Sequence, residues 1–172
     1  MEFSGEEVKV FELPVSVDTL HELEKNLVLC YTGKSRLSGN IHEKVVGSFL
    51  SGDNKTLSAL RDLKGIAREM KSVLLKEELL DFARLLAENW KNQKRLHPSV
   101  TNSQIDELFQ IARKNGALGG KACGAGGGGC LIFYCKPDSE HLVRSKLEEA
   151  GVEIIDFNFT FEGISIWQPK LA

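Results

Sequence analysis

No stretch of this 172-residue chain is apolar for long enough to cross a membrane, and its acidic opening, Glu2, Glu6 and Glu7, is unlike the basic head of a signal peptide. A cytoplasmic location is expected. Excess charge of either sign is also missing: 22 basic against 24 acidic residues leave a net charge of −2, too little for long-range attraction to nucleic acid or an anionic membrane. Neither partner is expected. The cysteines Cys30, Cys123, Cys130 and Cys135 form no C-x-x-C pair and have no neighbouring histidine, which argues against zinc. His21, His42, His97 and His141 are scattered, none at metal spacing with a carboxylate, so no metal site is expected. Cys30 and Cys135 sit in or beside apolar runs and read as small buried hydrophobes. Cys123 and Cys130 have only Lys121 close by to activate a thiol.

Glycine, by contrast, is concentrated. Seven of the twelve residues from Gly119 to Cys130 are glycine, and the apolar run Leu131-Ile132-Phe133-Tyr134 follows at once. So much backbone freedom is tolerated where the chain must turn tightly or lie against something with no side chain between, and phosphate is the usual occupant of such a space. Two phosphate motifs come close and fail on context. Gly124-x-Gly126-x-x-Gly129 fits the dinucleotide fingerprint, but a strand follows it where a helix is required. Thr32-Gly33-Lys34-Ser35 ends like a P-loop, yet Val28 stands where that loop needs its first glycine.

Periodicity gives an alternation of helix and strand. Val8 to Leu13 alternates as a half-buried strand does, a short helix spans Asp18 to Lys25, and Leu27 to Tyr31 is a continuous apolar strand. The middle is helical. Leu57, Leu60, Leu63, Ala67, Met70 and Leu74 make one apolar stripe, and Leu79, Phe82, Ala83, Leu86 and Trp90 make another. Pro98 closes the second helix, Thr101 with Gln104 suggests a capping box for a third, and Asn115-Gly116 stops it. Pro137-Asp138 opens a last helix that Gly151 ends. Ile155, Phe157, Phe159 and Phe161 then read as a period-two strand that Glu162-Gly163 turns into Ile164 to Trp167. Strands at both ends of a helical middle imply α+β, a ferredoxin-like antiparallel sheet with helices packed on one face. The segment from Thr32 to Gly39 leaves a buried strand carrying Lys34, Arg36 and Ser38, which suits either an anion site or a solvated basic turn.

The glycine stretch resembles the third motif of the GHMP superfamily of small-molecule kinases, roughly G-K-x-x-G-A-G-G-G-G-[FC]. The likeness runs through nearly the whole chain. Leu29 to Arg36, Trp90 to Pro98, Asn102 to Asp106 and Phe159 to Gly163 are similar to the branch that phosphorylates heptose 7-phosphate, with fucose 1-kinases more distant. This resemblance implies a C-terminal kinase domain across residues 1–172, of which about 1–26 would link to an N-terminal domain. The P-x-x-x-G-L-G-S-S-A loop and the catalytic aspartate of these kinases match nothing here, so a half enzyme without catalytic residues of its own is expected.

By the same resemblance, Gly124, Ala125, Gly126, Gly127 and Gly128 would face ATP and Mg2+ held mainly by the other half. Lys34, Arg36 and Lys94 would hold the phosphate of a sugar-phosphate substrate. Lys94 falls where the heptose kinase pattern keeps a lysine, whereas His97 stands where relatives commonly have serine. The N-terminal half would be the protein partner. Two other readings stay open: a free-standing domain that binds a phosphorylated metabolite without catalysis, and a structural module that dimerises through a sheet edge. Valine at Gly126 or Gly127 is expected to spare the fold and remove binding.

Overall fold

Two apolar runs form the centre of a four-stranded sheet, and everything else is arranged around them. A computed structural model describes residues 1–33 and 39–168. In chain order the elements are strands β1 (Glu2–Ser4) and β2 (Glu7–Lys9), helix α1 (Val17–Asn26), strand β3 (Leu27–Tyr31), and helices α2 (Gly39–Leu50), α3 (Asn54–Leu75) and α4 (Leu79–Leu96). A 3-10 turn (Pro98–Val100), helix α5 (Ser103–Lys114), strands β4 (Ala117–Ala122) and β5 (Cys130–Cys135), helix α6 (Glu140–Glu149) and strand β6 (Glu153–Ile155) complete it.

β3 and β5 pair antiparallel from Leu27 opposite Tyr134 to Tyr31 opposite Cys130. With β4 outside β5 and β6 outside β3, the order is β4-β5-β3-β6, antiparallel throughout. Read with its helices this is a β-α-β-β-α-β unit whose first and third strands are central, the ferredoxin-like arrangement. The α+β class expected from the sequence is what the chain adopts. α5 and α6 cover one face, where Ile105, Leu108, Val143 and Leu147 meet Val28, Cys30, Leu131 and Phe133. On the other face, Leu23 of α1 and Leu79, Ala83 and Leu86 of α4 pack on Leu27 and Tyr134, with α3 behind. The single helical layer foreseen is therefore α5 with α6, and the structure adds a second. α4 can lie this close because Gly119 gives β4 no side chain toward it.

Several local expectations change. The strand foreseen over Val8 to Leu13 is only Glu7–Lys9, paired with β1 in a separate two-stranded ribbon whose residues are all exposed. In α3 the buried residues are Ala59, Ile66 and Val73, spaced seven apart, with Thr56; the stripe from Leu57 to Leu74 flanks that seam, half-buried or exposed. One long helix packed along another buries a heptad-spaced row. α5 is capped by Asn102, whose Oδ1 accepts from Ile105 N at 3.0 Å, while Gln104 donates to the Thr32 carbonyl instead of forming the capping box with Thr101. β6 ends at Ile155, and no strand follows among the described residues. α2 joins the helices that periodicity identified.

Candidate functional site

The glycine stretch closes the hairpin between β4 and β5. Its neck is set by Cys123 N, which donates to Cys130 O at 2.8 Å. Beyond the neck the loop is fastened from three sides. Gln93 of α4 donates from Nε2 to Gly124 O at 2.8 Å, Gly127 N donates to Val100 O at 2.7 Å, and Asn102 donates from Nδ2 to Gly127 O at 3.1 Å. Thr32, just past β3, donates its N–H to Gly129 O at 3.0 Å. The anchoring turn is itself built locally: His97 Nδ1 accepts from Ser99 N at 3.0 Å, and Val100 is buried beneath the loop. His97 is thus a turn residue.

Gly126 shows why the loop needs glycine. Its φ is +86°, and a Cβ there would fall on the Val100 carbonyl oxygen and 2.9 Å from Val100 Cγ1. The expectation that valine here would spare the fold is overturned, because the loop packs on the 3-10 turn and does not stand clear of the core. Gly124, also at positive φ, has open space around its missing Cβ.

Two cavities flank the loop. One, of about 210 Å³, lies at the N-terminus of α5 and is lined by Thr32, Asn102, Ser103, Gln104, Gly127 and Gly128. Backbone N–H groups at such an end, with the helix dipole behind them, suit an anion. The other, of about 290 Å³, lies between α2 and α4 and includes Asn89, Gln93, Lys121, Gly124 and Ala125.

Among the basic residues, Lys34 and Arg36 lie outside the described residues. Lys94 pairs with Asp106 at 3.4 Å and stands over the Trp90 ring, 5.7 Å from its centroid. It lines a hollow with Trp90, Phe109 and Gly119, apart from the loop residues 124–128. Its neighbour Gln93 is the α4 side chain that reaches the loop. The sequence did carry a signal for it, since Gln93 continues the stripe Leu86, Trp90 at the next helical step and a polar residue in an apolar stripe has a task.

Three of the four thiols, Cys30, Cys123 and Cys135, are not primed for reaction. Burial pushes Cys30 and Cys135 up to about 12. Burial also raises Cys123, and Lys121 lowers it too little to compensate. Lys121 is held below the usual lysine range by burial. Among the described residues no group of three His, Cys, Asp or Glu side chains comes together, and no helix is long and apolar enough to cross a membrane.

Comparison with known proteins gives a consistent set of relatives. The family model described as GHMP kinases C terminal matches residues 56–153. The D-glycero-alpha-D-manno-heptose 7-phosphate kinase of Campylobacter jejuni is 33% identical over 148 residues, covering 86% of this chain and 43% of that protein. The bifunctional fucokinase/GDP-fucose pyrophosphorylase of Arabidopsis thaliana is 31% identical over 144 residues, 83% of this chain and 14% of the relative. A crystal structure from Campylobacter jejuni, assigned as a sugar kinase, superposes with a TM-score of 0.68 at 28% identity, covering 94% of this chain and 44% of that one. The chain spans less than half the length of each of these relatives.

Proposed function

The chain belongs to the GHMP kinases as their C-terminal domain, and from that membership we propose that it is the C-terminal half of an ATP-dependent sugar-phosphate kinase of the heptose 7-phosphate type. The observation that carries the reading is the glycine loop, fastened from α4, the 3-10 turn and α5 so that its backbone is held rigid beside a helix N-terminus. Phosphoryl transfer asks a protein for positioning and charge neutralisation more than for covalent chemistry. A rigid loop of amides supplies both.

In this reading an N-terminal half holds ATP, which supplies the phosphoryl group, together with Mg2+ and the base. Gly124, Ala125, Gly126 and Gly128 present backbone to the transferring phosphoryl or to the nucleotide loop that cradles it. Gly127 acts as an anchor, because its N–H is already given to Val100. Lys34 and Arg36 bind the sugar's own phosphate, Arg36 through a bidentate fork. Lys94 joins them only by leaving Asp106. The first residues, about 1–26, serve as the link to the other half, and the assembled enzyme works in the cytoplasm. The competing reading, a binding domain without catalysis, draws on the polar cavity at the start of α5, lined by Thr32, Asn102, Ser103 and Gln104.

A panel of acceptors tests the reading on the chain mixed with a separately produced N-terminal half that carries the nucleotide loop. Heptose 7-phosphate should be phosphorylated with a kcat/KM at least about a hundredfold above that for mevalonate, since an acceptor that leaves two buried polar groups unpaired, at about 1.4 kcal/mol each, gives that factor. Equal use of mevalonate, or phosphate-independent use of the sugar, would overturn it.

A further inference from the structure

Gln93 and Asn89 stand one turn apart on the same side of α4 and face the cavity between α2 and α4. The orientation of the Gln93 amide is fixed by chemistry: the Gly124 carbonyl can only accept, so the group 2.8 Å from it is the NH2, and Oε1 is left pointing elsewhere. That Oε1 is buried and has no hydrogen-bond partner, and Asn89 Oδ1 is in the same condition. Lys121, half-buried on β4 in the same cavity, has no carboxylate within ion-pair distance among the described residues. Two amide side chains, each with an unpaired buried oxygen, and one ammonium therefore line the same cavity, with Ile41, Val45 and Leu63 in its wall. Native folds seldom leave buried acceptors orphaned, because each costs its full desolvation.

We propose that this cavity is the subsite that reads the hydroxyl groups of a sugar ring, with Asn89 and Gln93 as acceptors and Lys121 as donor. The donor and acceptor balance selects the ligand. A phosphate monoester at neutral pH brings acceptors only and leaves both amide oxygens unpaired. A hydroxyl brings both, donating to an amide oxygen while accepting from the ammonium, and a vicinal diol does so twice. The aliphatic wall suits the C–H face of the ring. At about 290 Å³ the cavity is close to the lower bound of small-molecule pockets, roughly 300 Å³. The inference rests on the sugar kinase reading, but it assigns the ring to α4 and β4 and leaves the substrate's phosphate to the other basic residues.

The test is a side-chain amide NMR titration of the full chain with D-mannose and, separately, with methyl phosphate at pH 8, a monoester dianion with no O–H to donate. Mannose should shift the Asn89 and Gln93 NH2 resonances and methyl phosphate should not. Lys121→Met and Asn89→Leu should each weaken mannose binding about tenfold, one buried hydrogen bond's worth. Both should melt at or above the parent temperature, because each removes a buried polar group that has no partner. Silent resonances with mannose, the same shifts with methyl phosphate alone, or variants that lose binding only as they lose stability would each overturn the proposal. The two readings fail separately. Turnover by mixed halves with a silent cavity sinks the subsite alone, and mannose binding here without any phosphoryl transfer sinks the kinase reading alone.

Discussion

Alanine in place of Gly119 should lower the melting temperature by roughly 6–12 °C, the shift expected in a chain of this size for about 3 kcal/mol of lost stability. The added Cβ would collide with the Ala83 carbonyl oxygen and sit 2.8 Å from the Ala83 carbonyl carbon. Both are helix backbone and cannot rotate away as a side chain would. α4 must move off β4, and its inner face, Leu79, Ala83 and Leu86, moves with it. Nothing about the dihedral angles of Gly119 requires glycine, so the whole effect is steric. Gly65 is the control. It lies within α3 with open space around its missing Cβ, and Gly65→Ala should raise stability by about 0.5–1 kcal/mol. A Gly119→Ala chain that melts within a degree of the parent would show that α4 does not lie against β4 as described.

Valine at Gly126 should cost about 3 kcal/mol as well, by a different route. A β-branched residue at φ +86° is strained wherever it sits, and here its Cβ also falls on the Val100 carbonyl. That carbonyl is the acceptor for Gly127 N, so moving it breaks the bond that pins the loop. In the mixed-half assay the variant should lose at least about a hundredfold in kcat, the cost of misplacing one set of positioned donors. Gly124→Ala separates the two effects: with open space at its Cβ it carries only the backbone penalty, about 1 kcal/mol. Thermal melts of both variants, read beside their turnover, decide between a packed and a free-standing loop. A Gly126→Val chain with parental stability would restore the free-standing one.

The central sheet was legible because its two inner strands are buried on both faces and so read as unbroken apolar runs, Leu27 to Tyr31 and Leu131 to Cys135. The α4 stripe was legible for the complementary reason, since one face of a regular helix meets one surface. Alternation failed where no partner strand exists to satisfy it. β6 pairs Ile155 with Leu29, and only two residues remain before β3 gives way to α1 at Asn26. Phe157 and Phe159 therefore pack beside Leu23 and Leu27, and Glu24 accepts from Phe159 N at 2.7 Å in place of a strand partner. Phe161 keeps the pattern, and Ile164 and Ile166 alternate again after Gly163, but they are 75%, 97% and 89% exposed. Val8 to Leu13 misled in the same way.

The loop itself was evident from glycine density, but what fastens it was not. Gln93, Asn102 and the Val100 carbonyl come from three separate segments, and a backbone acceptor leaves no mark in a sequence. Lys94 was singled out by likeness to relatives, and the geometry gives it Asp106 and Trp90 as neighbours. Lys121 and Asn89 could not have been found by spacing, since only the packing of α4 on β4 brings them to one cavity.

The most direct measurement is steady-state formation of ADP that depends on heptose 7-phosphate, made on the pure 172-residue chain and again after adding an N-terminal half with the nucleotide loop and aspartate. The account predicts no acceptor-dependent turnover by the chain alone and kinase activity on mixing, within the ordinary range of about 1–100 per second. Sustained acceptor-dependent turnover by the chain alone would contradict it, as would a mixture that binds the sugar phosphate and never transfers a phosphoryl group.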